Sequence, residues 1–372
     1  MAFLQTILTL IYVVASYRIL HRAAERFGNA DRSLSVSEIL LVFSILVALL
    51  AHEAGHWAAG NSVGWRCLGF RIGPVEFTSA AGGWKACRRK WLWGAGVVFA
   101  PVVPGGSRRD NAILVAGGPL GSVVFALVCA AIASQAHTAT FLWFFGTMAQ
   151  FSLLVGAIQL LPAGDGLGVN DGHWLWALLR GGERAEQRKR YMLENTSSGT
   201  PLRARDWPRE LIGPVLESGA SCTDRHYCFL AYKHLMDSGR PDAALPWLVG
   251  FLAKPAKSDP PEYALEAAFY LGVHRCDPAL AAKWLAFAGT DEEIWIRLRA
   301  QAAVALAGGR NEDARRLALE ALAQLDTARP CGETGYQRDR LDDVLRHLDA
   351  QPIPGREEVV LTGPFAFPLK AL

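Results

Sequence analysis

The chain has 372 residues, 20% charged and 51% hydrophobic, with a formal net charge of +3, averages that describe a soluble protein slightly rich in apolar residues. They conceal a split: residues 1–180 hold 21 charged side chains and residues 181–372 hold 52. Positions 111–164 contain no Asp, Glu, Lys or Arg, which excludes a chain dissolved wholly in water. The basic residues flank apolar runs instead of forming one face, which excludes nucleic acid as the expected partner.

The N-terminus lacks a basic stretch before its apolar segment and a small-x-small cleavage site after it, so the expectation is a retained anchor and no cleaved signal peptide. Ala2–Leu20 is the weakest candidate span, diluted by Gln5, Thr6, Thr9 and Ser16. Ile39–Ala59 is apolar except for His52, Glu53 and His56. The charge-free run is long enough for two spans of about 24 residues, Ala112–Ala136 and Phe141–Leu161, turning near His137. The fold class expected is therefore mainly α: a transmembrane bundle of three to four spans (residues 1–180) with a short membrane-associated β segment, followed by a soluble helical repeat-like domain. With all spans crossing, the basic stretch Gly60–Arg109 and the flank Arg180–Arg190 share one side, predicted to be cytoplasmic.

His52-Glu53-Ala54-Gly55-His56 is a His-Glu-x-x-His motif. Residues i and i+4 share a helical face, so both imidazoles can hold one zinc, with Glu53 near enough to take a proton from water. Chance produces the pattern in about one chain in a hundred of this length. Ionisable residues at membrane depth are functional by default, and the bland alternatives, a polar helix contact or an interfacial His56 beside Trp57, leave the intervening Glu53 unexplained. A catalytic zinc needs a third ligand. Beyond the last span, Pro162 and a run of glycines break the helix, and the candidates are Asp171 at the start of a new amphipathic run, Asp165 within the Gly-rich piece, and His173.

These residues resemble the site-2 protease family of intramembrane zinc metallopeptidases over roughly residues 36–180. Beside the His-Glu-x-x-His helix, Gly69-Phe-Arg-Ile-Gly-Pro74 is similar to the family's β-rich segment and Gly118-Pro119 to its Gly-Pro span. Gln159-Leu-Leu-Pro162 with Asp171-Gly172 is similar to its Asn-x-x-Pro and Asp-Gly elements. Gln159 stands where the family has Asn, the Pro162 to Asp171 gap is longer than usual, and Gly121 and Ser122 stand where an Asn follows Gly-Pro. The resemblance implies zinc held by His52, His56 and Asp171 (or Asp165), catalysis by Glu53, and support from Gln159, Pro162, Gly118 and Pro119. The reaction implied is hydrolysis of peptide bonds in or beside the membrane-spanning helices of substrate proteins. Trp65–Phe77 has the composition of a strand and reads either as an exposed edge that holds substrate or as a loop packed beneath the bundle.

Residues 181–205 read as a helix-poor linker around Asn195-Thr-Ser-Ser-Gly-Thr-Pro201. In the domain at 206–350, three helix-turn-helix stretches, Phe229–Leu252, Glu262–Ala288 and Glu292–Leu325, carry Asp242, Asp277 and Asp313 just after their turns. Their spacings of 35 and 36 residues resemble tetratricopeptide-like repeats, which bind proteins or peptides. The tail 351–372 is apolar enough to dock on the domain or the bilayer. Altogether the sequence predicts a zinc-dependent endopeptidase of a bacterial inner membrane with its C-terminal domain in the cytoplasm; the competing expectation is a membrane-anchored helical scaffold with a vestigial metal site.

Overall fold

The computed structural model describes residues 18, 34–73, 75–80, 83–88, 95–162, 170–220, 224–253, 260–288 and 294–350. Apart from Arg18, the expected first span lies outside the described residues, as do Asp165 and the apolar tail. The fold is mainly helical, with thirteen α-helices and one sheet among the described residues. It divides into two compact units, residues 1–78 with 86–189 and residues 79–85 with 190–372.

In the first unit, α1 (Leu34–Ser62) contains the His-Glu-x-x-His motif in one unbroken helix. Helix α2 (Arg108–Ser134) opens with Ser107 accepting from the Asp110 N–H at 3.0 Å, a capping interaction that a Ser at this position provides readily. Helix α3 (Ala139–Leu160) follows after a turn at residues 135–138 and is capped by Thr138. Arg108–Ser134 and Thr140–Leu160 are long and apolar enough to cross a bilayer. Helices α1, α2 and α3 pack on one another in up-down-up order.

Between α1 and α2 the basic stretch folds into a four-stranded antiparallel sheet, β1 (Arg66–Ile72), β2 (Val75–Ala80), β3 (Gly83–Arg88) and β4 (Ala95–Ala100), in the order β3-β2-β1-β4. The β1–β2 turn uses Gly73 at φ +54°, and Phe70 stacks on its cross-strand partner Phe77 at 4.6 Å. This is more sheet than the single β segment expected. It also corrects the edge-strand expectation for Trp65–Phe77, because β1 is enclosed by β2 and β4 and the sheet's outer strands are β3 and β4. The Phe99 ring of β4 lies against Gly60, where a Cβ would come within 2.5 Å of it, so β4 docks on the C-terminal end of α1.

Helix α4 (Asp171–Arg180) leads to α5 (Glu183–Gly199), which corrects the expected helix-poor linker. The Asn-Thr-Ser-Ser run is compatible with helix because its hydroxyls bond back to carbonyls one turn earlier, Thr196 Oγ1 to Met192 at 2.8 Å and Ser198 Oγ to Glu194 at 3.1 Å. Met192, Leu193, Thr196 and Ser197 are buried, so this segment is core and not connection.

The second unit continues with α6 (Arg209–Glu217), then α7 (Arg225–Asp237) and α8 (Pro241–Leu252), α9 (Pro261–Tyr270) and α10 (Pro278–Phe287), α11 (Ile294–Ala307) and α12 (Asn311–Leu325), and ends on α13 (Gly332–Asp349). Three successive helical hairpins thus occupy the three expected stretches. Asp277 caps α10 by accepting from Leu280 N–H at 2.9 Å, while Asp242 and Asp313 fall in the first turns of α8 and α12, where a negative charge complements the helix dipole. Ala244, Ala281 and Ala314 are fully buried beside them.

The core of this unit contains charge. Arg299 and Glu266, both fully buried, pair at 2.7 Å, and Tyr232 and Tyr336 donate to the same carboxylate at 3.0 and 3.3 Å. Lys233, 1% exposed, reaches Glu194, Glu262 and Glu333 at 3.1, 3.3 and 2.8 Å. Burial pushes the Glu333 carboxyl up, but the Lys233 ammonium against it prevails and holds it below the ordinary carboxylate value. A carboxyl lowered on folding stabilises the fold above its unfolded value and loses that contribution as pH falls through the folded one. The unit is therefore expected to weaken as pH drops below about 4.5. Lys233→Met, leaving three carboxylates without their cation, is expected to cost about 3 kcal/mol at neutral pH; urea unfolding against pH on both proteins checks this.

Candidate metal centre

The site begins with a close crossing of two backbones. A Cβ on Gly55 would lie 2.2 Å from the Gly117 carbonyl oxygen, and one on Gly121 would lie 2.7 Å from Gly55 Cα. Ala51, Gly55 and Ala59 of α1 thus run along Gly117 and Gly121 of α2, a small-residue contact of the type that holds helices together in lipid. His52 and His56 each follow a member of the first stripe by one residue, and Gly118 and Ser122 follow the second, so they meet beside the crossing.

Each histidine is oriented through Nδ1. His56 Nδ1 donates to the Leu114 carbonyl at 2.8 Å, and His52 Nδ1 lies 3.1 Å from Ser122 Oγ. Ser152 Oγ of α3 in turn donates to the Ser122 carbonyl at 2.9 Å. Such outer partners set the tautomer and aim the other nitrogen. The Nε2 atoms of His52 and His56 lie 3.0 and 3.2 Å from Asp171 Oδ2. Burial pushes the Asp171 carboxyl up, yet the two imidazoles facing it outweigh that and hold it at about 2, so it is a carboxylate at any working pH.

The donor set fits a divalent metal. A carbonyl can only accept, so His56 carries a hydrogen on Nδ1; when the ring is neutral its Nε2 turns a lone pair toward the carboxylate, an arrangement that a proton or a metal cation between the two relieves. One ligand atom from each of His52, His56 and Asp171 lies within 4.8 Å of the others, and neighbouring ligands of a tetrahedral zinc with bonds of about 2.0–2.1 Å stand about 3.3 Å apart. The space is kept clear by Gly118, where a Cβ would fall 2.3 Å from His56 Nε2 and 2.6 Å from His52 Nε2.

Glu53 lies on the same helix turn and accepts a hydrogen bond from the Val97 N–H of β4, which ties the carboxylate to the outer strand of the sheet. Pro119 lies inside α2, next to Gly118. His173 is not part of the cluster; its ring meets Trp174 edge-on at 5.4 Å. Gln159 approaches through its backbone carbonyl, 2.9 Å from where a Gly172 Cβ would be, and Pro162 is exposed beyond the end of α3. Ser122, Ser152 and Asn170 belong to no motif, and only a small polar residue at i or i+4 from a Gly in an apolar helix hints at the first.

The centre sits near one end of the bundle. Gly118 is ten residues into α2, about 15 Å from Arg108, and His56 is six residues, about 9 Å, from the end of α1. Gly118→Ala is expected to abolish zinc retention by occupying the space between the ligands while leaving helix content unchanged; metal analysis and far-UV circular dichroism of the purified protein check this. No family model, curated protein or solved structure matches the chain, and its functional reading rests on this geometry.

Proposed function

We propose that the protein is a polytopic membrane zinc endopeptidase similar to site-2 proteases, with a tetratricopeptide-like cytoplasmic domain that recruits or screens substrates. The observation that carries this reading is the convergence of His52 Nε2, His56 Nε2 and Asp171 Oδ2 on one space beside Glu53, against α2, which with α3 is long and apolar enough to cross a bilayer. His52, His56 and Asp171 would hold a zinc ion, which when bound would polarise the scissile carbonyl as a Lewis acid and lower the pKa of its water.

The chain's own residues supply the rest. Glu53 accepts a proton from the attacking water and delivers it to the leaving amine. A peptide bond inside a helix has its carbonyl engaged and its faces covered, so a substrate helix must be extended before cleavage. Strand β4 is an outer strand whose Val97 N–H already meets Glu53, and strand addition along it would present an extended segment to the base. The basic sheet region and the short distance from the centre to Arg108 support water entry from the cytoplasmic side.

The test is zinc analysis of the purified full chain, with cleavage of single-span model substrates by wild type and Glu53→Gln. One zinc per chain is expected in both, with cleavage lowered about 10²–10⁴-fold in the variant. Absence of zinc, or equal cleavage by the variant, overturns the proposal in favour of a membrane-anchored scaffold.

A further inference from the structure

Asp171 is separated in sequence by more than a hundred residues from the histidines it meets, and it stands at the first residue of a helix that begins where another has just ended. The last carbonyls of α3 lack helical partners, as do the first N–H groups of α4. Asn170 serves both. Its Oδ1 accepts from the His173 N–H at 3.2 Å, capping α4, while its Nδ2 donates to the Ile158 carbonyl at 3.1 Å and to the Leu161 carbonyl. One amide therefore joins the end of α3 to the start of α4, using an acceptor toward one helix and a donor toward the other.

The join is tight. A Cβ on Gly172 would lie 2.0 Å from the Leu160 carbonyl oxygen, so α4 starts pressed against the end of α3. At its far end, Arg108 donates from Nε and Nη2 to the carbonyls of Leu178 and Leu179. Trp174 is buried in between, under the Arg188 guanidinium at 5.3 Å. Helix α4 is thus fixed at both ends, and the residue beside Asp171 in the chain sets where that carboxylate sits. Metal ligands tolerate displacements of only about 0.2 Å.

We infer that Asn170 is the positioning residue of the metal centre, acting through Asp171 by bracing α4 against the end of α3 and not merely by capping α4. The inference rests on the reading of His52, His56 and Asp171 as metal ligands. Asp caps a helix as well as Asn does but has no N–H to offer the Ile158 and Leu161 carbonyls, so Asn170→Asp separates the two roles.

The experiment measures zinc affinity by chelator competition, and the visible spectrum of the cobalt(II)-substituted protein, for the full chain in detergent. Wild type, Asp171→Ala, Asn170→Asp, Asn170→Ser and Asn170→Ala are compared. Asn170→Asp is expected to keep its unfolding temperature while zinc affinity falls about 10–100-fold and the cobalt bands shift or weaken. Asn170→Ser, which caps and donates one hydrogen bond, is expected to fall between it and wild type and carries the test if the Asp variant does not fold. Asn170→Ala is expected to lose affinity and thermal stability together. Wild-type affinity and spectrum in Asn170→Asp, or in Asn170→Ser where that variant carries the test, would overturn the inference. Wild type and Asp171→Ala that bind zinc equally, or not at all, would instead overturn the ligand assignment beneath it.

Discussion

The crossing of α1 and α2 at Gly55, Gly117 and Gly121 is the contact on which the metal centre depends. For helices long and apolar enough to cross a bilayer, such as α2 and α3, burial of apolar side chains would give little reason to associate in lipid, whose tails are as apolar as the side chains. Backbones that touch gain dispersion along their whole contact, and only residues without bulk permit it. The same approach that joins the helices brings the adjacent stripe, His52 and His56 on one side and Gly118 and Ser122 on the other, into range. A larger residue at Gly55, with the Gly117 carbonyl oxygen 2.2 Å from its Cβ, would separate the helices and with them the histidines from the Leu114 carbonyl and Ser122. Packing and chemistry are therefore one constraint here.

The third member of the candidate metal centre, Asp171, comes from a different solution to the same problem. A carboxylate near the bundle must be both compensated and aimed. Asp171 is compensated by the two imidazoles and by its place in the first turn of α4, where the helix dipole favours negative charge. It is aimed by the ends of α4: Asn170 and Gly172 against α3, and Arg108 across the C-terminal carbonyls. The Ile158 and Leu161 carbonyls at the end of α3 find a partner inside the protein in the Asn170 amide.

Much of this was legible in the sequence, for identifiable reasons. His52, Glu53 and His56 were visible because an i, i+4 pair has a fixed geometry on a helix. Asp171 stood out because an acidic residue before an amphipathic run reads as a helix start. The edge strand was misplaced because Trp65–Phe77 is rich in β-formers while β3 and β4 lie among glycines and basic residues, and pairing partners, not composition, decide which strand is outermost. Helix α5 was hidden by Asn195–Gly199, whose side chains signal a loop until their hydroxyls are seen bonding back along the helix. Ser122 was marked only by its place after Gly-Pro, and Asn170 not at all, since their roles exist only through the residues that the fold sets against them.

The two units bury charge to different ends, and the contrast bears on function. In the helical unit Lys233 faces three carboxylates and Arg299 faces Glu266; each of these two buried cations has its anion within the chain. In the bundle, the buried cluster consists of two imidazoles whose outer nitrogens are already engaged and a carboxylate held ionised. The carboxylate faces both Nε2 atoms, and among the described residues no Lys or Arg is ion-paired with Asp171, although the Arg188 guanidinium acts on it electrostatically. A proton on one ring would satisfy one contact, but a divalent cation satisfies all three at once and fits the space Gly118 leaves. An ion network of fixed pairs stabilises a fold, whereas two imidazoles and a carboxylate turned on one space form a cluster that could hold a further cation.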